Sequence, residues 1–191
     1  QDVAEKKPTA VNLAGSNKEA ANDVIKAFRN ETFHFKYSSD VIGTELCAVM
    51  KNVVAIASGM ALGVGYGPNT QALLVVEGIN EMMALGKAVG AKPETFLGLA
   101  GLGDLLLTAM NEKSRNMHFG MELGKGMNID EALQHQKGVA EGYYTLLSID
   151  YLLQKYNLSL PLSRMLMDIL IKKIPLKERL DQYLKELYLY V

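Results

Sequence analysis

A mainly helical fold behind a short α/β segment is what this sequence predicts, and three patterns carry the prediction. The first 38 residues read as strand, helix, strand. From Ser39 onward the apolar residues recur at helical rather than alternating spacing. Those stripes are punctuated by serine, aspartate, asparagine and proline where helices would start, and by glycine where they would stop.

Pro8 to Ala14 has strand composition, and Gly15-Ser16-Asn17 is turn chemistry that can cap a helix. Lys18 to Asn30 then places Ala21, Val24, Ile25 and Phe28 on one helical face. Thr32 to Tyr37 alternates and is aromatic, as a second strand would be. A strand–helix–strand unit of this size is too small to stand alone, and it reads as the last part of an α/β domain.

Asp40 to Leu62 is expected to be a long helix with an acidic cap, closed by the loop Gly63 to Asn69. Thr70 to Val89 is expected to be a second, with Leu73, Leu74, Val76, Ile79, Met82, Met83 and Leu85 buried on more than one side. Lys92-Pro93-Glu94-Thr95 opens a third, running toward Leu99, and a further segment runs through Asp104 to Met110. Ser114 caps Arg115 to Leu123, and Asn128 caps Ile129 to His135. Helices are expected within Gly138 to Tyr156, from Pro161 to Lys173 and from Pro175 to Tyr190, giving about eight in the helical part.

Composition narrows the function. Hydrophobic residues make up 49% of the chain, so it can build a core. The formal net charge is −1 with no basic block, so nothing attracts nucleic acid or an anionic membrane. Val53 to Leu62 is too short to cross a bilayer, which takes roughly 20 apolar residues. The single cysteine, Cys47, lies in an apolar run and reads as a buried, inert thiol in a reducing compartment such as the cytoplasm. His34, His118 and His135 show no metal-ligand spacing, so no metal is expected.

Chemistry is suggested by charges standing in apolar surroundings. Lys51 sits within Val41 to Leu62, whose other charged residue is Glu45. A lysine is rarely buried without a partner, and desolvating an ammonium makes it available for proton transfer. A dry cleft around Lys51, lined by Cys47, Ala48, Val54, Ala55 and Ser58, is the expectation. The competing reading is a lysine that snorkels to the surface. Asp104, in Gly101-Leu-Gly-Asp-Leu-Leu-Leu, is a second such charge, either a partner for Lys51 or a substrate hydroxyl, or an ordinary helix cap. Ser114-Arg115-Asn116 stands at a helix start, where free N–H groups and a guanidinium suit phosphate; the plain alternative is a serine cap beside a solvated arginine. Gly138-Val139-Ala140-Glu141-Gly142 is a turn into a helix and says little alone. Gly63 to Gly67 is no P-loop, since no Gly-Lys-Ser/Thr follows.

In order, Asp40-Val-Ile-Gly-Thr-Glu-Leu, Met50-Lys-Asn-Val-Val-Ala-Ile-Ala-Ser-Gly, Thr95-Phe-Leu-Gly-Leu-Ala-Gly-Leu-Gly-Asp-Leu, Ser114-Arg-Asn-x-x-Phe-Gly and Val139-Ala-Glu-Gly resemble the C-terminal part of the bacterial-type NAD(P)-dependent glycerol-3-phosphate dehydrogenases. The resemblance spans nearly the whole chain and is weakest in the last residues. It implies an all-helical substrate and dimerisation domain over 39–191, preceded at 1–38 by the tail of a truncated Rossmann-type dinucleotide-binding domain. It implies Lys51 as general acid and base, with Asp104 on the substrate hydroxyl and Thr108 close by. Ser114, Arg115 and Asn116 would hold the substrate phosphate, and Arg115, Val139 and Glu141 would meet the NAD or NADP. The implied reaction interconverts dihydroxyacetone phosphate and sn-glycerol 3-phosphate, supplying phospholipid synthesis, in a cytoplasmic homodimer. The family's Gly-x-Gly-x-x-Gly fingerprint and its second lysine are absent from the 191 residues, so a fragment with little activity of its own is expected. Two rivals stand beside this reading: a dehydrogenase of the 6-phosphogluconate type, and a non-catalytic helical dimerisation or binding module.

Overall fold

The computed structural model describes residues 2–135 and 141–188. The chain opens with β1 (Thr9–Ala14), α1 (Lys18–Phe28) and β2 (Phe33–Ser38). The Asn17 carboxamide oxygen accepts from the backbone N–H groups of Glu19 and Ala20, which starts α1. β1 and β2 pair in parallel, Thr9 opposite Phe33 through Ala14 opposite Ser38, as a strand–helix–strand unit requires.

Among the described residues every element after β2 is a helix: α2 (Val41–Val64), α3 (Pro68–Val89), α4 (Pro93–Phe96), α5 (Asp104–Ala109), α6 (Arg115–Gly124), α7 (Ile129–His135), α8 (Glu141–Tyr156), α9 (Pro161–Leu170) and α10 (Leu176–Tyr188). The helix expected from Pro93 toward Leu99 breaks after Phe96, and a π-turn (Leu99–Gly103) leads into α5. Close packing causes the break: a Cβ on Gly101 would fall 2.0 Å from the Phe96 carbonyl oxygen, so this turn exists only because residue 101 has no side chain. The loop expected from Gly63 to Asn69 is shorter than that: Gly63 and Val64 belong to α2, and Pro68 and Asn69 to α3. Gly65, at φ 102°, ends α2 in the left-handed region, and Pro68 opens α3.

α2 is the axis of the helical part. Val53 to Met60 is buried without interruption, and α3, α5, α6, α8 and α9 pack around it. It is long and apolar enough, by length and composition, to cross a membrane, yet 67% of its most apolar window is buried by the other helices, as in a core helix. Asp40 holds its N-terminus. One carboxylate oxygen accepts from the Gly43 N–H, and the other accepts from the Lys92 N–H and the Thr95 hydroxyl at 2.6 Å, tying α2 to α4. Burial alone would raise this carboxyl, but those donors outweigh it and hold it below the usual aspartate range. Cys47 is fully buried, and burial pushes its thiol up to about 11, so it is an inert core residue.

The end of the bundle contains a buried charge with no counterpart in the sequence reading. Glu81 of α3 accepts from the Leu162 and Ser163 N–H groups and the Ser163 hydroxyl, capping α9 across the core. Burial pushes its carboxyl up to about 7 against those three donors. The α9–α10 corner is closed by Asp168, which accepts from Lys172 and from the largely buried Arg179.

Candidate active site

Lys51 projects from the middle of α2 into an open cleft of about 550 Å³. Its ammonium donates to the Asp104 carboxylate at the start of α5. Neither group is dry: the Lys51 side chain is 22% exposed and that of Asp104 38%. The expected dry cleft is therefore corrected to an open one in which two half-buried charges satisfy each other. Asp104 also settles its competing reading. Gly103 stands at the cap position of α5, and Asp104, its first residue, accepts from Lys51 instead.

The small residues expected beside Lys51 are a second correction. Only Ala48 of the set lines the cleft; Cys47, Val54, Ala55 and Ser58 are buried against other helices. Ser58 is spent structurally, donating to the Ala109 carbonyl at 2.6 Å and accepting from Gln71. Helical spacing alone cannot tell which flank of a lysine is packed and which is open.

The remaining candidates converge on the same cleft. Thr108 lines it one turn after Asp104, with its hydroxyl donated back to the Asp104 carbonyl at 2.6 Å. Ser114 caps α6, accepting from the Met117 N–H, and stands with Arg115 and Asn116 along the wall. Asn116 is nearly buried, and its Oδ1 accepts from the Gly142 N–H at 3.0 Å. Arg115 and Glu141 meet at the rim, 3.7 Å apart and mostly solvated. Val139 lies outside the described residues.

Asn52, Asn111 and Lys113 are cleft residues to which the sequence assigned no role. Asn52 donates to Glu141 at 3.3 Å, joining α2 to the start of α8. Its signal was present in the Lys51-Asn52 pair, since an amide beside the odd lysine in an apolar helix also needs a partner. Lys113 leaves no such trace, because a lysine in a polar loop is ordinary.

Chemically, the cleft offers an ammonium held by a carboxylate at one end. At the other it offers a helix N-terminus, an amide and a guanidinium. That is a proton donor set at a fixed remove from an anion site. Among the described residues no three histidine, cysteine or acidic side chains are grouped to hold a metal ion.

Comparison with known proteins identifies the family. Residues 40–181 match the family model of the NAD-dependent glycerol-3-phosphate dehydrogenase C-terminus. A glycerol-3-phosphate dehydrogenase [NAD(P)+] of Leuconostoc mesenteroides is 40% identical over 178 residues, which is 93% of this chain and 53% of that protein. One from Francisella philomiragia is 44% identical over 162 residues, 85% of this chain and 49% of that protein. The crystal structure of glycerol-3-phosphate dehydrogenase from Coxiella burnetii superposes with a TM-score of 0.92 at 38% identity, covering 96% of this chain and 56% of that one. The chain thus spans about half the length of the curated relatives it matches. With the fold, the sequence match and the ordered motifs in agreement, this chain belongs to the C-terminal family of the NAD-dependent glycerol-3-phosphate dehydrogenases.

Proposed function

We propose that this chain is the substrate-holding half of an NAD(P)-dependent sn-glycerol-3-phosphate dehydrogenase. One observation carries the reading: the Lys51–Asp104 pair and the Ser114–Asn116 helix start face each other across one cleft. Phosphate of the substrate sits at the α6 N-terminus, where the Arg115 fork and the Asn116 amide supply donors. The carbinol end then reaches Lys51. Bound nicotinamide supplies the hydride. Lys51 gives a proton to the oxygen that becomes negative as dihydroxyacetone phosphate is reduced, and takes it back in the reverse direction. Asp104 fixes the ammonium by accepting from it and remains an acceptor for the substrate's hydroxyl. Thr108 borders the same end.

The residues present fit part of a nicotinamide nucleotide. Arg115 offers a fork to a phosphate oxygen and Glu141 an acceptor, both at the cleft rim. The glycine-rich turn that would cradle a pyrophosphate is absent from the 191 residues. The half-buried faces of the parallel β1–β2 pair, which is below the size that stands alone, support residues 1–38 as the tail of a dinucleotide-binding domain and 39–191 as the substrate domain. The buried reduced thiol supports a cytoplasmic setting, and the family relationship supports a homodimer.

Calorimetry tests the reading. The chain should bind glycerol 3-phosphate but not glycerol, and Lys51→Ala should weaken binding. Turnover of NADH with dihydroxyacetone phosphate by these 191 residues should be negligible until the part of the relatives that they do not cover is supplied, for instance by joining this chain to the first half of the Coxiella burnetii relative. Equal affinity for glycerol and its phosphate would refute the assignment.

A further inference from the structure

We infer that Gly142, which carries no role so far, is the positioning residue of the phosphate end: its backbone N–H sets which way the Asn116 amide faces. The inference rests on the phosphate site proposed above and adds what builds it.

Asn116 is 7% exposed, and its side chain meets the Gly142 N–H at 3.0 Å. A backbone N–H can be met only by the oxygen of a carboxamide, so the amide has one orientation available. Its Nδ2 is the end left over. Nδ2 donates to no described residue, and Asn116 lines the cleft, so we assign that end of the amide to the cleft. The cleft therefore receives two N–H donors from this residue and no carbonyl. A phosphate offers acceptors to such a wall, and a flipped amide would repel it.

Residue 142 can do this only without a side chain. A Cβ there would fall 2.8 Å from the Asn52 carbonyl oxygen, 2.8 Å from Ile56 Cδ1 and 2.9 Å from the Asn52 carbonyl carbon. The isoleucine could rotate, but the backbone of α2 cannot, so a methyl group would push the start of α8 off α2. That shift withdraws the N–H from Asn116. It also carries Glu141 away from the Asn52 amide, 3.3 Å distant, and from Arg115, 3.7 Å distant. One glycine thus holds the phosphate amide and the rim carboxylate in a common register.

The test uses the 191-residue chain and NMR, with inorganic phosphate and glycerol 3-phosphate as probes. Hydrogen exchange at Gly142 should be slow in the wild type and in Asn116→Asp, which keeps the acceptor, and fast in Asn116→Ala. The Asn116 side-chain NH2 resonances should move on titration. Gly142→Ala and Asn116→Asp should each weaken phosphate binding by about tenfold or more, the loss expected for one hydrogen bond to a charged group. Asn116→Asp does so with Gly142 still protected, which a merely structural role would not produce. Gly142→Ala binding glycerol 3-phosphate as tightly as the wild type overturns the inference, and so does equal Gly142 exchange in wild type and Asn116→Ala. If Gly142→Ala fails to fold, the two Asn116 variants still decide. If the wild type binds neither probe, the phosphate assignment fails, while Gly142 exchange still reports whether the amide is held.

Discussion

The two sides of α2 are built in opposite ways. Toward α6 the helices meet backbone to backbone. A Cβ on Gly59 would fall 2.0 Å from the Met117 carbonyl oxygen, and one on Gly120 would fall 2.1 Å from that of Ile56. Gly63 and Gly124 repeat the pattern one turn on. Toward α5 and α8 the same helix faces a cleft of about 550 Å³ lined by charged and amide groups. The contrast shows how an open site keeps its shape. A seam of glycines leaves no side chain to rearrange, so it fixes where α6 begins, and with it Ser114, Arg115 and Asn116 relative to Lys51. The cleft side can then spend its residues on chemistry rather than packing.

If the two sides are separable, breaking each should have a different signature. The largest effect belongs to the cleft. In the complete enzyme, Lys51→Ala should lower turnover by about 10²–10⁴-fold, the usual worth of a positioned proton donor. The melting temperature should barely change, because a half-exposed ion pair is worth at most about 1 kcal/mol. Steady-state kinetics beside a thermal melt checks both halves, and a parallel collapse in stability would show that the cleft is structural after all.

The next effect belongs to the seam. Gly120→Val forces a side chain into the Ile56 backbone, and overpacking of this kind costs about 1–3 kcal/mol or more, visible as a lower midpoint in a urea titration. A midpoint unchanged from wild type would mean that the two helices are free to slide.

The smallest effect comes from Glu81, a buried carboxylate of the packed region. Glu81 titrates at about 7 in the folded protein against 4.5 as its ordinary value, so between those values the folded state holds a proton that the unfolded state has lost. Its contribution to stability is therefore greatest below about pH 4.5 and declines as pH rises to about 7, by up to about 3 kcal/mol. Glu81→Gln should flatten that slope in stability measured against pH. A slope unchanged by the substitution would place the titration elsewhere.

How much of this was legible depended on whether a signal was local. Asp40 as a cap, the strand–helix–strand opening and the helical stripes follow from neighbouring residues, and they appear where expected. Lys51 and Asp104 stood out because each breaks an apolar run, and the fold brings them together. What escaped were contacts between distant segments. The early end of the third helix at Phe96 depends on Gly101 reaching the Phe96 backbone, the orientation of Asn116 depends on Gly142, and Glu81 caps α9 from across the core. The dryness expected around Lys51 failed for the same reason, since a sequence shows which residues are apolar but not which flank of a helix its neighbours leave uncovered.

The most direct measurement is a crystal structure of this chain grown with glycerol 3-phosphate. Phosphate is expected at the α6 N-terminus against Asn116 and Arg115, with the carbinol hydroxyl within hydrogen-bond reach of Lys51. Ligand seated elsewhere, or turned so that its phosphate lies on Lys51 and its carbinol on α6, would contradict that placement.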